Sequence, residues 1–272
     1  MKPRAFSSSG GNVLYAANLD TIQDAIRDID KCGGNWIGNI PSVWCADRST
    51  LIVGAHKGLV LDGVELAAKS QTTVSLDGVL TTTGWWYLYA VNSGTDTVSY
   101  TLSDDSPEDE FVFKDGDPDS RYVCSIYCTS NTLHSERILP FRKVGNHVTY
   151  RWTGGGLTSD TFRALNAGVA TTATDVDLTA WVPPRVRMAH LRLEISSATT
   201  GAAYIAKVSP KGDTIPSGGT YDSQLFNYAI FSTSNDARAI EAPCECDIDG
   251  FVQYRNNSAN FTTSIWVRGY EE

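Results

Sequence analysis

At 272 residues, with 42% hydrophobic and 19% charged positions, the chain is long enough for one large or two ordinary globular domains and too apolar for intrinsic disorder. Its net charge of −9 is concentrated in residues 104–119 (DDSPEDEFVFKDGDPD), which hold eight acids against one lysine, so the remainder is nearly neutral. No basic stripe offers a groove for nucleic-acid phosphates, and no apolar run approaches the roughly 18 residues needed for a membrane span.

The opening, Met1-Lys-Pro-Arg-Ala-Phe-Ser-Ser-Ser-Gly-Gly11, has basic residues but no apolar stretch behind them, so it does not read as a signal peptide. Residues 1–17 read instead as an extended arm that orders against a partner. Next comes a helix pattern: Leu19, Ile22, Ile26 and Ile29 fall on one face, Asn18 or Asp20 can cap the start, and Gly33-Gly34 can stop it. Asp24, Arg27, Asp28 and Lys31 occupy the opposite face. The apolar stripe must be buried on the chain's own sheet or on copies of itself, which makes Leu19, Ile22, Ile26 and Ile29 candidate assembly residues.

From Ile40 to Val144 strands and turns are expected. Leu51 to Val53, Leu59 to Leu61, Thr72 to Leu76 and Val79 to Thr81 read as short strands, with Asp62-Gly63 and Asp77-Gly78 as turns. Trp85 to Asn92, Val98 to Leu102, Tyr122 to Thr129, Arg137 to Lys143 and Val148 to Trp152 read as further strands. The glycines of Trp152-Thr-Gly-Gly-Gly156 then suggest a hinge.

After the hinge, Val176-Asp-Leu178 puts two apolar residues on one face, and Trp181-Val-Pro-Pro184 predicts a rigid extended approach to the next strand. Strands are expected over 187–196, 202–209, 224–233, 239–242, 251–255 and 264–270. The divisions predicted are 1–35 (docking arm and helix), 36–152 (a β domain) and 153–272 (a C-terminal β-sandwich).

Six cysteines do not form a disulfide framework by spacing. Cys124 and Cys128 would lie about 13 Å apart on an extended strand, far beyond bridging distance. Cys244 and Cys246 share a strand face, and Cys32 and Cys45 could meet only by folding back. No Cys-x-x-Cys occurs, so reduced, buried thiols are expected.

The segments Gly84-Trp-Trp-Tyr-Leu-Tyr-Ala-Val91, Arg121-Tyr-Val-Cys-Ser-Ile-Tyr-Cys128 and Ile138-Leu-Pro-Phe141, with the aromatic Tyr150-Arg-Trp152, resemble a recurrent module of tailed-bacteriophage virion proteins, especially tail fibres and their adaptors. The closing Ile265-Trp-Val-Arg-Gly-Tyr270 is similar to endings of their C-terminal sandwiches. Together the resemblances cover about 200 residues, in strand order and spacing rather than in any invariant site. They imply a mainly β chain: an N-terminal arm and short helix, then two antiparallel β domains, the second a β-sandwich or jelly roll. They also imply a virion location after assembly in the host cytoplasm, other virion proteins as partners, and a homo-oligomer, preferably a trimer.

No catalytic pattern competes with this. The chain contains neither Gly-x-Ser-x-Gly nor His-Glu-x-x-His, and its four histidines read as structural or solvated, His56 in a turn, His134 and His147 in polar loops and His190 at a strand start. Glycoside cleavage needs two facing carboxylates, whereas the acids here cluster in one loop that reads as a solvated surface. Asp115, Asp117 and Asp119 have the opening spacing of a calcium loop, but Ser120 stands where its glycine belongs and Ile126 where its glutamate belongs. No enzymatic activity and no cofactor are therefore expected. Loops 103–120 and 210–222 are candidate display loops, and Tyr221, Phe226 and Tyr228 are candidate receptor contacts that could stack on a host-surface glycan. The rival to a structural role is thus a carbohydrate-binding module for host-receptor recognition.

Overall fold

A computed structural model describes residues 41–45, 47–61, 64–94, 97–107, 120–129, 138–151, 157–217, 223–233 and 236–272. The predicted arm and helix with Leu19, Ile22, Ile26 and Ile29 lie outside the described residues, as do Asp115, Asp117, Asp119 and Tyr221.

The described chain is mainly β. The first half contributes β1 (Val43–Cys45), β2 (Thr50–Val53), β3 (His56–Leu61), β4 (Val64–Ala68), β5 (Thr72–Ser75), β6 (Gly84–Asn92), β7 (Val98–Ser103), β8 (Ser120–Cys128), β9 (Phe141–Val144) and β10 (His147–Tyr150). The second half contributes β11 (Arg163–Gly168), β12 (Thr174–Asp177), β13 (Met188–Ser197), β14 (Ala203–Pro210), β15 (Leu225–Ile230), β16 (Asp236–Glu245), β17 (Phe251–Asn256) and β18 (Thr262–Glu271). Against expectation, Val79 to Thr81 is no strand. The amides of Val79 and Leu80 both donate to the Leu76 carbonyl, closing a turn in which Gly78 takes φ +76°.

A nine-stranded antiparallel sheet dominates, in the order β16-β13-β18-β10-β9-β1-β2-β5 with β11 also on β18. It crosses the predicted hinge, because Val148 of β10 pairs with Tyr270 of β18. One contiguous core lies beneath it and includes Val43, Leu51, Phe141 and Val148 from the first half and Leu191, Leu193, Ile195 and Ile265 from the second. β13 shows the driving pattern: Ala189, Leu191, Leu193 and Ile195 are fully buried and alternate with outward Met188, His190, Arg192 and Glu194.

A four-stranded sheet, β12-β17-β14-β15, meets the inner side of the β13 and β16 end of the large sheet. Asn227 ties the two layers, its side-chain amide donating to the carbonyls of Leu193 at 3.0 Å and Arg238 at 2.8 Å. The outer face of this smaller sheet is covered by residues 211–217. Buried Lys207 donates to the Pro216 carbonyl, Gln253 to that of Asp213 and Arg255 to that of Ile215, whose side chain is buried. The described part of the 210–222 loop is therefore tied down along the sheet.

The three-stranded sheet β7-β6-β8 is packed on both faces. Trp86, Leu88, Ala90, Cys124 and Ile126 join the main core, while Tyr87, Tyr89 and Tyr122 form a second cluster opposite. Burial on both faces explains why β6 and β8 read as nearly continuous apolar runs. Trp85 also finds cover, edge-on to Tyr127 and Tyr270 with its indole N–H donating to the Thr179 carbonyl at 2.8 Å.

The Trp181-Val-Pro-Pro184 segment is not extended. Asp177 accepts from the amide and hydroxyl of Thr179, the Leu178 carbonyl accepts the amides of Trp181 and Val182, and that of Pro183 accepts the amide of Val186. The prolines sit where no ladder hydrogen bond is asked of them, and Arg185 takes φ +71° to leave the turn.

At the end of β18 the alternation slips by one residue. His190 pairs with Gly269 and Leu191 with Val267, leaving Arg268 as the extra residue of a β-bulge. Uninterrupted alternation would place Trp266, Arg268 and Tyr270 on one face. The bulge instead turns Tyr270 inward, 1% exposed, sets Glu271 outward, and buries the Glu272 side chain.

Candidate functional site

Of the receptor residues expected from sequence, Phe226 and Tyr228 are placed on β15, whose burial alternates strictly. Leu225, Asn227 and Ala229 face inward, while Phe226, Tyr228 and Ile230 are 37%, 45% and 56% exposed. Ile230 belongs to the same stripe and is found by extending the period-two pattern by one step. Among the described residues β15 is the edge of its sheet, and its six residues Leu225-Phe-Asn-Tyr-Ala-Ile230 include neither charge nor proline. Sheet edges are ordinarily blunted by such residues, so an uncharged edge with exposed apolar side chains is a ready surface for pairing.

A second feature lies on the outer face of the large sheet. Trp44 of β1 pairs with Arg142 of β9, which pairs with Thr149 of β10. With Arg151 just beyond, these residues line a depression of about 550 Å³. Nothing in the sequence joined them, because Trp44 and Arg142 are 98 positions apart and meet only through strand register. A partly buried indole beside two exposed guanidinium groups offers a stacking surface and anion donors together.

Farther along the same face, His147 of β10 stands directly across from Glu271 of β18, and His190 reaches the same carboxylate from β13. The His190 Nε2 lies 3.1 Å and the His147 Nδ1 3.9 Å from Glu271 Oε1, and the two rings meet edge-on at 4.4 Å. His147 begins a strand rather than lying in a loop. Burial, then the neighbouring His147, holds His190 below the ordinary imidazole pKa, against the opposing pull of Glu271.

His56, expected in a turn, begins β3 and is buried, with Nε2 2.7 Å from the Tyr100 hydroxyl. Burial lowers its pKa. The described cysteines Cys45, Cys124, Cys128, Cys244 and Cys246 are free and buried, as expected. Burial pushes the Cys45 and Cys244 thiols up to about 12 and that of Cys246 to about 11, the opposite of an activated nucleophile. Among the described residues no helix is long and apolar enough to cross a membrane. In comparisons with known proteins, no family model matches the chain and no curated protein is similar to it.

Proposed function

We propose that this chain is a non-enzymatic structural component of a tailed-phage particle, a tail fibre, adaptor or surface decoration, that works as a homo-oligomer. The observation that carries the assembly reading is the Phe226, Tyr228 and Ile230 stripe on an uncharged edge strand. Its occupant in this reading is a second copy of the chain, since an edge without gatekeeping residues is complementary to another such edge and backbone pairing needs no specialised ligand. The C-terminal half serves as a β-sandwich platform and the N-terminal arm and helix dock on other virion proteins; pairing of two β15 edges is two-fold and closes at two copies, so the trimer that the family resemblance suggests needs a further contact, for which the Leu19, Ile22, Ile26 and Ile29 stripe is the candidate. Buried thiols, a large antiparallel sheet and a loop pinned by Lys207, Gln253 and Arg255 suit a durable display scaffold. The triple variant Phe226→Ser, Tyr228→Ser, Ile230→Ser tests the assembly reading: it is expected to sediment as a folded monomer where the parent chain sediments as an oligomer. An unchanged sedimentation coefficient would remove the Phe226, Tyr228 and Ile230 stripe from the interface.

A second reading, recognition of a host-surface glycan, is favoured by the depression at Trp44, Arg142, Thr149 and Arg151. Its chemistry selects an acidic saccharide, with the sugar face on the indole and the carboxylate or sulfate on the arginines. Binding of acidic oligosaccharides that disappears in Trp44→Ala and in Arg142→Ala would support it, and binding of neutral sugars alone would contradict the assignment.

A further inference from the structure

We propose that His147, His190 and Glu271 form a zinc site that ties together three adjacent strands, β10, β18 and β13, on the outer face of the large sheet. The donor set comes first. Two imidazoles and one carboxylate suit a borderline cation such as Zn²⁺, and three protein ligands leave the fourth position to water. A hard cation such as Ca²⁺ or Mg²⁺ would demand an oxygen-rich shell that this cluster does not provide.

Geometry comes second. Zinc–ligand bonds of about 2.0–2.1 Å in a tetrahedron put neighbouring donor atoms about 3.3 Å apart. The three donor atoms already lie within 4.8 Å of one another, with Glu271 Oε1 3.1 Å from His190 Nε2 and 3.9 Å from His147 Nδ1. Closing the remaining distance needs only side-chain rotation. His147 and Glu271, each 49% exposed at the side chain, have room for it, while His190, 21% exposed, is the more fixed member.

The backbone supplies the third argument, since the cluster is built by strand register and not by chance contact of long surface side chains. His147 and Glu271 are direct cross-strand partners, and Met188, two residues before His190, is the partner of Glu271 on the other side. Gly269 stands opposite both His190 and Thr149, so no side chain intrudes between the two imidazoles. The Arg268 bulge is what sets Glu271 on this face.

Calorimetric titration of chelator-treated full-length protein with ZnCl₂ tests the site. One zinc per chain is expected, with affinity falling about 100-fold or more in the His147→Gln, His190→Gln double variant while the far-ultraviolet circular dichroism is unchanged. Cobalt substitution is expected to give visible d–d bands without the near-ultraviolet thiolate charge-transfer band that a cysteine site would show. Absence of zinc uptake, affinity retained within about threefold in a folded double variant, or a thiolate band would each overturn the proposal. Should the variant fail to fold, nitrogen-15 imidazole spectra of the parent chain decide instead. Zinc must shift the ring resonances of both His147 and His190, and a titration that leaves either unmoved rejects the site.

Discussion

Lys143 of β9 and Glu272 form an ion pair that is buried on both sides, with side chains 4% and 3% exposed. The same carboxylate accepts from the Tyr122 hydroxyl and, at 2.9 Å, from the Ser125 amide, while Lys143 also donates to the Val123 carbonyl and lies 5.1 Å over the Tyr122 ring. The pair thus fastens β8 of the three-stranded sheet to the large sheet. Burial, reinforced by the nearby Glu272 charge, raises the phenol pKa values of Tyr122 and Tyr270 well above the ordinary range.

Removing one partner of such a pair strands the other charge. Lys143→Met is therefore expected to cost about 3–5 kcal/mol in urea unfolding. Adding Glu272→Gln should recover much of that loss, because the amide oxygen can still accept from Tyr122 and Ser125 and no charge remains buried. Additive losses in the double variant would contradict the coupling.

Gly269 is required by close approach of backbone. A Cβ there would stand 1.9 Å from the Val148 carbonyl oxygen and 3.1 Å from the Thr149 Cα, and neither atom belongs to a side chain that can swing away. Gly269→Ala is expected to destabilise by about 3 kcal/mol or more, whereas Gly54→Ala, whose Cβ would meet the Ser42 carbonyl at 3.3 Å, should cost less than about 1 kcal/mol. Equal melting temperatures for the two variants would refute the contact.

The described thiols should be chemically silent in the native protein. With Cys45, Cys124, Cys128, Cys244 and Cys246 buried, iodoacetamide followed by peptide mapping is expected to label none of them until denaturant is added. Rapid native labelling of Cys124 or Cys128 would mean that the β6–β8 layer opens readily.

Stability should decline on the acid side of neutrality. Burial lowers the folded-state pKa of His56 below its unfolded value of about 6.5, so the unfolded chain takes up the proton first as pH falls. Its contribution is fully present above that unfolded value and is lost as pH falls toward and through the folded one. Replacing His56 with Gln should flatten the difference in urea midpoint between about pH 7.5 and about pH 5.5. A variant whose midpoint falls as steeply as the parent's would show that His56 is not the group responsible.

Strands were legible where a longer run alternates or is aromatic, whereas the short β1 and β4 and the irregular β11 were not read from the sequence. β13 and β15 read directly from alternation, and β6 and β8 from their aromatic runs. Three features were not. On β9 the apolar Val144 points outward, 52% exposed, while the charged Lys143 points inward, because a partner distant in sequence satisfies it. The Arg268 bulge leaves no local mark, yet it decides which of Glu271 and Glu272 faces solvent. The prolines after Trp181 suggested extension, whereas the capping carboxylate of Asp177 and the carbonyl of Leu178 fold that segment into turns. Candidate sites were the least legible for the same reason: His147 and His190, or Trp44 and Arg142, become neighbours only through register.

Assembly is tested most directly by the solution mass of the purified full chain, measured by sedimentation equilibrium across a range of concentrations. A mass of two or more copies of the 29.5 kDa chain is the predicted result, an even number where β15 edges pair with one another. A strict monomer at every concentration would contradict it.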